Sequence, residues 1–271
     1  MKFRSLTFHP LHGIVLIDNH MTCFVKIVIH FGEKEYTTMT TSAQEPSKGR
    51  EELSTTTRLL LACGVIGPLL FIIVFLIEGA TRADYNPFRY PISSLSIGAM
   101  GWTQAANFLL LGALLVAFAI GLQRTLKGSR GGLWGPILIG LAGIGLFGAG
   151  IFTTDPIFGY PPDAPLVLAQ YTWHGHLHDL CSVLFFAGVP IASFGFCRRF
   201  ATSGERGWAL YSLLSGLGML AFFVLAAIGF DQISAFVYVA GVFQRLSISL
   251  GLIWVALLAL RLMRSTSPDG R

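Results

Sequence analysis

The sequence predicts an all-α, polytopic membrane protein, a compact bundle of six transmembrane helices with both termini in the cytoplasm. Three observations predict it. Of 271 residues, 53% are hydrophobic and 12% charged, with a mean hydropathy of +0.65, whereas soluble domains average about 25% charged residues. The apolar residues gather into six stretches long enough to cross a bilayer. The basic residues gather on one side of those stretches.

The stretches follow from the bilayer's dimensions, since roughly 20 apolar residues rising 1.5 Å each cross a hydrocarbon core about 30 Å thick. They run over Leu59–Ile77, Gln104–Leu122, Leu133–Phe152, Leu177–Cys197, Trp208–Phe230 and Val237–Leu260. Their apolar runs are too continuous for the alternation of a β-barrel, and a helix satisfies every backbone group within its own segment.

Orientation follows from twelve basic residues set against two. Lys48, Arg50 and Arg58 precede the first span, and Arg124, Lys127 and Arg130 separate the second from the third. Arg198, Arg199 and Arg206 separate the fourth from the fifth, and Arg261, Arg264 and Arg271 follow the sixth. The opposite loops hold Arg82 and Arg89. These clusters beside apolar spans suit anionic lipid headgroups, so membrane lipids are the expected partners and nucleic acid is not, despite the net charge of +5.

Residues 1–56 read as a disordered N-terminal leader, 57–264 as the transmembrane domain and 265–271 as a cytoplasmic tail. The apolar run from Phe24 to Ile29 is too short to span, and it lacks the h-region and cleavage site of a signal peptide. Residues 1–38 read equally as an over-extended gene start, with Met39 the alternative initiator. The cysteines, Cys23, Cys63, Cys181 and Cys197, have no metal-ligand or disulfide-framework spacing.

Polar residues concentrate at the non-cytoplasmic ends of the spans. Ser94, Asp155, His174, His178, Asp179, Asp231 and Arg245 form the candidate polar pocket. The serines after Pro91 suit a helix cap, and Asp155 before Pro156 suits a helix end. The third span carries six glycines between Gly135 and Gly150 and is expected to be the buried central helix. Arg245 lies deep enough in the sixth span to require a partner, and the expected one is Asp155, Asp179 or Asp231. His174 and His178 share a helix face, so with Asp155 they form a candidate zinc set whose remaining position would hold a water. The same histidines also suit an interfacial position facing headgroups, with no cofactor.

The order Ile92-Ser93-Ser94-Leu95-Ser96, Gly101-Trp102, Asp155-Pro156, His174-Gly175-His176-Leu177-His178 and Gln244-Arg245 resembles the uncharacterised membrane proteins grouped as domain of unknown function 998. The resemblance covers about Thr57 to Met263 and implies a six-helix bundle without an established biochemical role. A fainter likeness to Frag1/DRAM/Sfk1-type proteins implies lipid remodelling or distribution. A third, resting on residue types alone, is to intramembrane zinc hydrolases. Two functions are thus expected: an outward-facing pocket that binds or handles lipid headgroups without catalysis, or a metal-dependent hydrolase acting on a lipid-like substrate in the same pocket.

Overall fold

A computed structural model describes residues 53–128, 132–165, 170–231 and 235–265. The leader up to residue 52, Met39, Arg130, Gln232 and the tail beyond Ser265 lie outside the described residues. Among the described residues there are six long helices and no strand: α1 Thr55–Thr81, α2 Gly101–Leu126, α3 Trp134–Ile151, α4 Trp173–Thr202, α5 Arg206–Phe230 and α6 Ala240–Ser265. All six are long and apolar enough to cross a membrane.

Most of the helices outrun the apolar spans read from the sequence, because polar caps extend them past the hydrocarbon. Ser54 caps α1, its hydroxyl accepting the Thr57 amide at 3.3 Å, so the helix takes in residues assigned to the leader. Thr172 caps α4 in the same way, which brings His174, His176 and His178 all inside that helix.

Each helix packs against its neighbours in sequence, and α6 returns to α1 and closes the ring. The expected central position of the third span is therefore incorrect. α3 packs only against α2 and α4, and it turns Ile144 and Ile151 outward at 57% and 58% exposure. Its glycines do serve close packing. A Cβ at Gly143 would stand 2.8 Å from the Gly112 carbonyl oxygen, and one at Gly112 2.7 Å from that of Gly143, so α2 and α3 meet backbone to backbone. Glycine permits such an approach on any face but does not surround a helix with neighbours.

The core is aliphatic and aromatic, with Phe71, Phe75, Phe118, Phe185 and Trp254 fully buried. Two of its polar groups are bonded across helices. The Trp254 indole N–H donates to the Ser212 hydroxyl at 3.1 Å, and the Ser247 hydroxyl donates to the Met219 carbonyl at 2.7 Å. Ion pairs stand at the bundle's ends: Arg82 with Glu78, and Arg261 with Glu205 between the guanidinium-facing rings of Phe200 and Trp208.

Candidate functional site

The end of the bundle remote from the termini is built by three loops. The first, between α1 and α2, contains a 3₁₀ turn over Ile92–Ser96. The expected serine cap is absent from it: the Ser96 hydroxyl donates to the Ser93 carbonyl, and the Ser94 hydroxyl is buried without a partner. The second follows α3 and makes a two-residue turn, Phe158 at φ 57° and Gly159 at φ 77°, across which Ile157 and Tyr160 exchange backbone hydrogen bonds. That turn sends Tyr160 onto Tyr85 and Tyr90, with ring centroids 5.3 and 5.1 Å apart.

Asp155 does not simply end α3. Its carboxylate accepts the Thr172 amide at 2.8 Å and the Thr172 hydroxyl at 2.7 Å, and that hydroxyl in turn accepts the Gly175 amide at 3.1 Å. A buried negative charge thus sits on the N-terminus of α4, where free N–H groups and the helix dipole favour it. A Cβ on Gly175 would collide with that carboxylate, which explains the glycine between two histidines.

His178 stands one turn further along α4 and is 3% exposed. Its Nδ1 lies 3.0 Å from the Ala149 carbonyl oxygen and 2.9 Å from that of Phe152. Two carbonyl acceptors require a donor, so Nδ1 carries a proton. Phe108 meets the ring edge-on at 6.0 Å.

A cavity of about 310 Å³ opens beside these groups, within the range of small-molecule sites. Its depth is apolar, with Phe108, Phe185, Phe186 and Phe223. Its polar lining includes Asp155, His178, Asp179, Asp231, Tyr171 and Gln244, and among the described residues no Lys or Arg lines it. Asp179 and Asp231 have no ion pair among the described residues. Burial, then the carboxylates of Asp179, Asp155 and Asp231, push the Tyr171 phenol above its ordinary range.

Arg245 lies elsewhere. It donates to the Tyr90 and Gly241 carbonyls, both at 3.0 Å, and to the Tyr85 hydroxyl, with its guanidinium 5.6 Å from the Tyr85 ring centre. The expected pairing with Asp155, Asp179 or Asp231 does not occur. Tyr85 itself donates to the first loop, with the Pro91 carbonyl 2.9 Å away, and burial pushes its phenol up to about 12, against the opposing pull of Arg245. Gln244 completes this lock by accepting the Ile92 amide at 2.7 Å. A Cβ at Gly241 would lie 2.6 Å from the carbonyl oxygens of Pro87 and Tyr90, so the first loop rests directly on the start of α6.

Of the seven residues expected in the pocket, the structure gathers Asp155, His178, Asp179 and Asp231 around one cavity. It leaves out Ser94, which is buried behind the 3₁₀ turn, His174, which is exposed and stacked on Trp173 at 3.6 Å, and Arg245. The candidate zinc set of His174, His178 and Asp155 therefore does not converge. Among the described residues no three His, Cys, Asp or Glu side chains are arranged to hold a metal ion. Sequence reasoning missed Tyr85, Tyr171 and the phenylalanine floor.

A model of the family described as a protein of unknown function, DUF998, matches residues 65–261. No curated protein and no solved structure is similar enough to the chain to count as a match. The match takes in most of the chain and all six helices, and the chain belongs to that family.

Proposed function

For this member of a family without an assigned activity, we propose a lipid-handling role in which the loop-end cavity holds an amphiphile and no reaction is catalysed. The headgroup carries an amine or hydroxyl donors, and the apolar part lies among the phenylalanines. One observation carries the reading: the exposed Asp179 and Asp231 line a cavity with an apolar floor, and among the described residues no Lys or Arg lines it. A carboxylate beside an apolar cavity favours a cation or hydrogen-bond donors from whatever enters. The same acidic mouth disfavours a purely anionic headgroup.

The proposed setting is the cell membrane, with the termini cytoplasmic and the cavity facing outward, and the support is the asymmetry of basic residues. A cysteine introduced at Asp163 is expected to react with an impermeant reagent in intact cells. Reaction only after permeabilisation would reverse the orientation.

Ligand identity is tested by purifying the full chain in mild detergent, extracting what accompanies it and measuring zinc on the same sample. An amine- or hydroxyl-bearing lipid enriched over its membrane abundance is the expected result. Stoichiometric zinc whose removal destabilises the protein would favour the hydrolytic reading. A lipid profile identical to the bulk membrane would overturn the proposal.

A further inference from the structure

At the opposite end of the bundle, beside the termini, a second cavity of about 570 Å³ opens between the start of α3 and the last turns of α4. Leu138, Ala192 and Phe196 form its apolar wall, and Arg198 and Arg199 stand at its rim. Gly195 lines it too, and a Cβ at that position would meet no atom within 4 Å. The space is therefore open along the helix as well as at the rim.

The start of α3 completes the rim through Trp134 and Gly135. No side chain caps this 18-residue helix, and the helix dipole adds partial positive charge at its start. Among the described residues no carboxylate lines the cavity, nor the adjoining groove where Arg124 and Lys127 stand. Exposed Leu133 and Trp134 mark this level as the membrane interface, where an indole is at home.

We propose that this cavity binds an anionic glycerophospholipid, with its phosphate between Arg198, Arg199 and the start of α3. One acyl chain follows Gly195 and Ala192 toward the bilayer centre. Guanidinium groups match phosphate oxygens bidentately, and basic pockets between transmembrane helices suit such headgroups. The two ends then select opposite charges: donors at the acidic mouth, phosphate here. This inference does not depend on the function proposed for the first cavity.

The test uses the full chain in mild detergent, with thermal unfolding and native mass spectrometry in added phosphatidylglycerol, phosphatidylcholine or inorganic phosphate. Phosphatidylglycerol is expected to raise the melting temperature and give a one-to-one adduct, and the other two to do neither. Gly195→Leu places its Cβ where no atom lies within 4 Å, so it should keep the lipid-free melting temperature and weaken phosphatidylglycerol binding about tenfold or more. Arg198→Gln should weaken it similarly. Arg264→Gln, a cation at the same end but outside the cavity, should leave it unchanged. Equal loss in Arg264→Gln, or full binding by Gly195→Leu, would show diffuse surface charge and overturn the site. An effect of inorganic phosphate equal to that of the lipid would overturn the choice of ligand.

Discussion

The loop end of the bundle has two halves built from the same kinds of residue, and they differ in what those residues touch. On the α1–α6 side, Arg245, Tyr85 and Gln244 spend their polar atoms on the backbone of the first loop. On the α4–α5 side, Asp179 and Asp231 face a cavity and have no ion pair among the described residues. A buried polar group whose partners are all internal holds architecture together. Exposed carboxylates that line a cavity without an ion pair are available to a ligand, so the difference separates a structural lock from a candidate site within one surface.

Breaking the lock should have the largest effect. Arg245→Ala removes the charged donor of hydrogen bonds to two carbonyls and a hydroxyl, and with about 1.5–3 kcal/mol for a hydrogen bond to a charged group, a loss of about 3 kcal/mol is expected in detergent unfolding. Arg245→Lys should recover part of this, because a single ammonium cannot reproduce the spread of the guanidinium fork. If Arg245→Ala melts like the parent, the α1–α6 half is not a lock.

Alkaline pH tests the same half through Tyr85. Its phenol is held near 12 in the fold and titrates near 10 when unfolded, so the folded state keeps the proton longer. That contribution is fully present below about pH 10 and is lost as pH rises toward 12, amounting to about 3 kcal/mol in all. Unfolding followed from pH 9 to 11.5 should therefore fall more steeply in the parent than in Tyr85→Phe. Parallel curves would place the lock elsewhere.

The sequence makes the six helices legible because lipid requires continuous apolar runs, and nothing else in the chain has that length. It makes the need for a partner at Arg245 legible as well, but not the partner. Counter-charge reasoning looks for carboxylates, whereas the irregular first loop leaves carbonyls such as that of Tyr90 outside any helix, and those carbonyls accept the guanidinium. The histidines show a second limit. Spacing of four places His174 and His178 on one face of α4, yet one turn of depth separates a ring stacked on Trp173 from a ring buried against the carbonyls of Ala149 and Phe152. The cavity floor is illegible for a simpler reason: Phe108, Phe185 and Phe223 come from three helices, and one more phenylalanine in an apolar span carries no local signal.

Asp155 sharpens the comparison because it belongs to both halves by type: it lines the cavity, but its oxygens are engaged by Thr172. Asp155→Ala should loosen the start of α4 at a cost of about 1–2 kcal/mol, comparable to a lost helix cap. Amide exchange over residues 172–176 should rise with it. Unchanged exchange there would mean that the Thr172 cap alone holds the helix start.

The smallest expected change in stability belongs to the double variant Asp179→Asn/Asp231→Asn, and it tests the central claim most directly. Its melting temperature without added lipid and its content of co-purified amine- or hydroxyl-bearing lipid are measured beside those of the parent. The account predicts an unchanged melting temperature, since neither carboxylate has an ion pair among the described residues, together with loss of the enriched lipid. A variant that melts early but keeps its lipid would contradict it, because the two aspartates would then belong to the lock and not to the site.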